Sequence, residues 1–134
     1  METVNQIEYN GALYNIQDAE AQKNLIYSQN EIDTGKIWID GKKIYRKVIN
    51  CGTLQGNTLK EIPTNVVNMK EVIKITAITT SKAYKLTTQI PYISVSGRKK
   101  IIYVQNNNVY IYIDKVQEEY DECFAFLEYT KTTN

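Results

Sequence analysis

The chain has 134 residues, no histidine and two cysteines, and its 16 Lys and Arg against 15 Asp and Glu leave a net charge of +1. That length accommodates one compact domain with a short appendage, not two domains, and charge so nearly balanced gives no bulk electrostatic case for nucleic acid or an anionic membrane as partner. Without histidine there is no Ser-His or Cys-His nucleophile pair, and the commonest metal ligand is missing.

In chain order, Ile7 to Ile16 reads as a small hairpin turning at Asn10-Gly11. Two strands alone are marginal in water, so this hairpin must lean on something else. Asp18 is a good N-cap for a helix predicted over Ala19 to Ile32. Ala21, Leu25, Ser28 and Ile32 recur at the 4-3-4 spacing of a short coiled-coil seam. One such helix buries little, so several copies around an axis, or packing across a β domain as a lid, are the two ways to stabilise it. Thr34-Gly35 is read as the helix stop.

From Lys36 onward the pattern is β. Lys36 to Ile39 and Lys43 to Ile49 flank Asp40-Gly41, the composition of a two-residue type I′ turn. Trp38, the only tryptophan, is expected to plug the base of the β domain, where truncation of a buried ring costs about 3 to 5 kcal/mol. Further strands are predicted at Leu59 to Pro63, Glu71 to Thr79, Ala83 to Ile90 and Tyr92 to Val95, with Pro91 at an edge or bend. On Glu71 to Thr79 the apolar set Ile73, Ile75 and Ala77 is assigned to the core. Lys100 to Val104 and Val109 to Asp114 form a hairpin through residues 105–108, whose Asn residues tolerate φ > 0. Glu122 to Lys131 is the last strand. About eight strands with regular turns point to a mainly β chain, an antiparallel β-sandwich of jelly-roll type preceded by a short N-terminal hairpin and helix. The expected division is an attachment segment over 1–33 and a β domain over 34–134.

Chemistry is sparse. There is no P-loop, Gly-rich dinucleotide turn, H-E-x-x-H or Cys-x-x-Cys, and no calcium-loop spacing, so no enzyme, cofactor or metal site is expected. Glu118, Glu119, Asp121 and Glu122 are the one carboxylate cluster, and a charge run in a connection is ordinarily solvated loop. The basic groups at Lys42, Lys43, Arg46 and Lys47 and at Arg98, Lys99 and Lys100 read as solvated faces. Cys51 and Cys123 signal no disulfide framework, and Cys123 reads as a small buried hydrophobe. No run of about 18 apolar residues and no leader-like start occur, so the chain is expected in the cytoplasm that makes it or in an assembly built there. The eleven tyrosines stand out. Tyr110 and Tyr112 suit a subunit interface, and Tyr84, Tyr92 and Tyr103 suit a ligand surface, because a phenol offers a stacking face and a hydroxyl together.

Three stretches resemble bacteriophage fibre and tip proteins. Tyr9-Asn10-Gly11 followed by Tyr14-Asn15-Ile16-Gln17-Asp18-Ala19 is similar to an opening seen before fibre or baseplate modules, and Gly35 to Ile49 resembles the entry of small fibre-tip domains. Leu127 to Thr133 resembles their terminal strand. The resemblance implies a non-enzymatic virion protein, a homotrimeric head or tail fibre assembled in the host cytoplasm. Ile7, Tyr9, Leu13, Tyr14 and Ile16 would then dock on a capsid or tail protein, and Ala21, Leu25, Ser28 and Ile32 would form the trimer seam. The alternative it implies is a tail-fibre or baseplate tip binding a host-surface glycan. Neither version involves nucleic acid or a membrane.

Overall fold

The computed structural model describes residues 27–114 and 120–133. Within them the chain is β throughout: β1 (Ile32–Ile37), β2 (Lys43–Asn50), β3 (Thr58–Pro63), β4 (Met69–Ser81), β5 (Leu86–Ile90), β6 (Tyr92–Ile93), β7 (Lys99–Gln105), β8 (Asn108–Ile113) and β9 (Glu122–Lys131). They form two antiparallel sheets, ordered β1-β2-β9-β4-β5 and β3-β8-β7-β6. The predicted strands over residues 59–63, 71–79 and 122–131 are all present, the last with the expected bounds.

Alternation along each strand explains the core, since successive side chains leave a strand on opposite faces. In the five-stranded sheet the register Ile49↔Ala125↔Ala77↔Ile90 lines up one inward row, and Lys47↔Leu127↔Ile75 lines up the next. The four-stranded sheet contributes Val109, Ile111 and Ile113, and both sheets share one apolar cluster. Ile75 and Ala77 face it as expected. Ile73 does not join it, because the pairing of β4 with β9 slips between Val72 and Lys74 and leaves Ile73 as an extra residue in a bulge. The two phenylalanines, Phe124 and Phe126, are on the outer face, and the inner row of β9 is Cys123, Ala125, Leu127 and Tyr129.

The turns correct one expectation. Asp40-Gly41 does reverse the chain between β1 and β2, but only Gly41 has positive φ, at 86°. The Gly41 amide donates to the Trp38 carbonyl at 2.9 Å and the Trp38 amide to the Lys42 carbonyl at 2.8 Å. This is a three-residue loop closed by a glycine bulge, and the Asp40 carboxylate steadies it by accepting from the Lys42 amide at 2.9 Å. The type I′ geometry occurs instead between β7 and β8, where Asn106 and Asn107 have φ of 52° and 65°. At the cis Ile90–Pro91 peptide the chain leaves the first sheet and enters the second.

The helix predicted to reach Ile32 does not do so. Tyr27 to Glu31 is a strap along β2, whose Val48 amide donates to the Ser28 carbonyl at 2.8 Å, and Ile32 is already in β1 opposite Arg46. Glu31 accepts from Tyr129 Oη and from Lys131 Nζ, the latter at 3.0 Å. Backbone pairing and these tethers override the helix preference of the local sequence. Gly35, expected to stop a helix, has a φ of 79° inside β1, where the pairing with β2 is irregular between Asp33 and Ile37. Trp38 is half-buried and outside the core cluster, so it is no plug. Ile7, Tyr9, Leu13, Tyr14, Ile16, Ala21 and Leu25 lie outside the described residues, as does the N-terminal hairpin.

Candidate functional site

A cavity of about 230 Å³ is lined by Leu86, Thr88, Tyr92, Ser94, Ser96, Arg98, Lys100 and Tyr120. It forms where β5 gives way to β6 and where the Ser94–Gly97 turn returns the chain to β7. That turn closes on itself: the Gly97 amide donates to the Ser94 carbonyl, the Arg98 amide to Ser94 Oγ at 3.0 Å, and Ser94 Oγ meets Ser96 Oγ at 3.0 Å.

Lys100 sits at the inner end. Alternation on β7 points Lys100, Ile102 and Val104 inward, and Lys100 is only 6% exposed. Its Nζ donates to Tyr120 Oη at 2.6 Å and to Thr88 Oγ1 at 2.9 Å. It also lies 4.4 Å from the centre of the Tyr120 ring and 5.4 Å from that of Tyr92. The hydroxyls and ring faces offset part of the desolvation of a buried ammonium. Among the described residues no carboxylate pairs with it. The expectation that Arg98, Lys99 and Lys100 form one solvated run therefore fails at Lys100. Ile101 and Tyr103 are as apolar as Ile102 and Val104, so periodicity could not tell the two faces of β7 apart.

A second feature is the outer face of the four-stranded sheet. Cross-strand register aligns Leu59↔Tyr112↔Ile101 in one row and Glu61↔Tyr110↔Tyr103 in the next. Tyr103 and Tyr110 stack at 5.1 Å with an interplanar angle of 21°. Leu59 is 51% exposed, Ile101 44% and Tyr103 39%. Tyr110 and Tyr112, predicted for a subunit interface, are thus neighbours on one apolar face, with the aliphatic set Val109, Ile111 and Ile113 turned inward. The three tyrosines predicted for a ligand surface do not come together. Tyr92 lines the cavity, Tyr103 belongs to the stacked pair, and Tyr84 is exposed in the β4–β5 turn.

The outer face of the five-stranded sheet is partly covered by the strap. The Tyr27 ring meets Phe126 edge-on at 5.5 Å, and the Arg46 guanidinium lies 4.8 Å over Tyr27. Ser28 and Ile32, expected on a helical seam, lie in this strap and in β1, where the Ser28 carbonyl accepts from the Val48 amide of β2 and Ile32 pairs with Arg46.

The carboxylate cluster is described only at Asp121 and Glu122, both tied to the β4–β5 turn: Asp121 Oδ2 accepts from the Lys82 amide at 2.8 Å, and Glu122 pairs with Lys82 at 3.6 Å. Cys51 and Cys123 are both buried and reduced, and the Cys51 amide donates to the Cys123 carbonyl at 2.8 Å. The hydrogen bond from Cys51 and then burial push the Cys123 thiol above its ordinary range. Among the described residues no group of three His, Cys, Asp or Glu could hold a metal, and no helix is long and apolar enough to cross a membrane.

No family model, curated protein or solved structure matches this chain.

Proposed function

We propose that this chain is a non-enzymatic structural protein of a bacteriophage virion, a homotrimeric fibre decorating the head or tail, whose β domain is a sandwich of jelly-roll type. The observation that carries the reading is the outer face of the four-stranded sheet. A solvated antiparallel sheet alternates apolar inside with polar outside. Here Leu59, Ile101, Tyr103, Tyr110 and Tyr112 make most of the outside apolar as well, in two adjacent cross-strand rows with Glu61 at the β3 end of one. Contiguous apolar surface of this kind marks association, and further copies of this chain, set around a three-fold axis with these faces turned toward it, are the economical partners. Ile7 to Ile16, within the attachment segment expected over 1–33, then docks on a capsid or tail protein, as the motif resemblance implies. The test is to image particles assembled with and without the chain. Regular projections that appear only with it support the reading, and protein that stays free of the particle overturns it.

A second reading, a tail-fibre or baseplate tip binding a host-surface glycan, has one observation in its favour: Tyr92 lines a cavity that also holds hydroxyls and two cations. The two readings are compatible in one molecule, because the cavity and the outer face of the four-stranded sheet use different residues.

A further inference from the structure

We propose that the cavity beneath Tyr92 is a binding site for the carboxylate of an acidic monosaccharide unit, with Lys100 and Arg98 as its anion partners. The inference rests on the glycan reading and gives it a ligand class.

The first argument is the placement of Lys100. A core-facing position on β7 would be filled more stably by an apolar side chain of similar length, because an ammonium loses most of its hydration on burial. Lys100 is 6% exposed and has two hydroxyls and two ring faces for company, yet no carboxylate among the described residues. An ammonium has three N–H donors, and among the described residues Lys100 makes two hydrogen bonds, leaving the third N–H to the ring faces and the cavity. Buried positive charge at the end of a concave, low-dielectric site focuses its field on whatever enters.

The second argument is what stands at the mouth. Arg98 lines the same cavity, is exposed, and makes no ion pair among the described residues. Its planar fork matches a carboxylate in two-point geometry, so a cation at the base and a fork at the rim bracket one anionic group.

The remaining lining discriminates between anions. Phosphate sites are commonly built from free backbone amides arranged as a nest. Here the amides of Ser94, Gly97 and Arg98 are consumed within their own turn. The lining besides the two cations is the paired Ser94 and Ser96 hydroxyls, the Thr88 hydroxyl, which accepts from Lys100 and keeps its own O–H to donate, Leu86 and the Tyr92 and Tyr120 rings. That combination suits a pyranose, which has hydroxyls on its edge and an apolar face to lay on a phenol. A volume of about 230 Å³ falls below the roughly 300 Å³ at which drug-sized ligand pockets begin, so it fits a single sugar unit.

The experiment titrates the isotopically labelled full chain, followed by amide NMR, with N-acetylneuraminate, glucuronate and galacturonate, and in parallel with glucose, N-acetylglucosamine and inorganic phosphate. At least one acidic sugar is expected to saturate shifts at residues 94–100, weakening as salt is raised. Arg98→Gln, at an exposed position, should keep the native spectrum and weaken that binding by about tenfold, the scale of one charge-assisted contact. Lys100→Met should abolish it, and if that variant does not fold, Arg98→Gln decides alone. Absence of saturable shifts with every acidic sugar, or binding indifferent to Arg98→Gln, overturns the proposal. Phosphate binding as tight as any acidic sugar overturns the sugar assignment. Neutral sugars binding as well as acidic ones overturn the anion site while leaving a glycan tip standing.

Discussion

The Tyr129 hydroxyl donates to the Glu31 carboxylate across 98 positions of sequence, and Lys131 Nζ reaches the same carboxylate at 3.0 Å. This one acid ties the strap at the start of the described chain to the final strand. Lys131 lies 5.3 Å over the Tyr45 ring, which stacks on Tyr129 at 6.1 Å, so the tether is embedded in an aromatic cluster.

Tyr129 should make stability pH-dependent in alkali. Burial, then its hydrogen bond to Glu31, raises its pKa far above the ordinary 10.0. The unfolded phenol loses its proton near pH 10 and the folded one holds it, so the contribution is whole below that pH and is lost as pH rises beyond it. Denaturant titrations of the native chain should show stability falling from about pH 10 upward more steeply than in Tyr129→Phe. At pH 7 that variant should be less stable by about 1 to 2 kcal/mol. Parallel pH profiles for the two proteins would count against the tether.

The core should respond to position more than to residue size. Leu127→Ala empties a fully buried inner site and is expected to cost about 2 to 5 kcal/mol in chemical denaturation. Phe126→Ala removes a larger side chain from the outer face and should cost about 1 kcal/mol, with loss of its contact to Tyr27. The reverse order would contradict the inward assignment on β9.

Asp40 links the β1–β2 loop to the start of β4 through Lys70 at 2.6 Å. The Lys70 hydrogen bond, then the Lys42 amide, holds its carboxyl below the usual 3.8. A lowered folded pKa contributes stability above pH 3.8 that is lost as pH falls through the folded value. The protection of the Gly41 and Lys42 amides, taken as hydrogen exchange relative to the intrinsic rate at each pH, should therefore fall on acidification below about pH 4, and Asp40→Asn should remove that pH dependence.

Trp38→Ala should cost about 1 kcal/mol, well short of the 3 to 5 of a buried tryptophan, since the ring is half-buried outside the core cluster. Its fluorescence should be readily quenched by iodide, and a blue-shifted, protected emission would contradict this placement.

Much of the β architecture is legible in residue patterns. Val109, Ile111 and Ile113 alternate with Tyr110 and Tyr112, so a period of two assigns β8 without tertiary knowledge, and the Asn106-Asn107 pair marks its turn. Lys100 is illegible because both faces of β7 are apolar, and its burial depends on Thr88 and Tyr120, which only the fold brings together. The strap failed for a similar reason. Residues 27–31 are acceptable helix formers, and a carbonyl accepting from Val48 together with Glu31 meeting Tyr129 are long-range facts that local propensity does not contain. Asp40-Gly41 marked a hairpin correctly, but loop length depends on the register of β1 against β2.

The apolar outer face of the four-stranded sheet is the proposed contact between copies of this chain. The direct measurement is molar mass by light scattering at micromolar concentration, for the native protein and for Ile101→Glu, a change at an exposed position in the middle of that face. The native protein should run at three times the 15.5 kDa chain mass and the variant should shift to 15.5 kDa. A native protein that runs at 15.5 kDa, or an oligomer indifferent to Ile101→Glu, would contradict it.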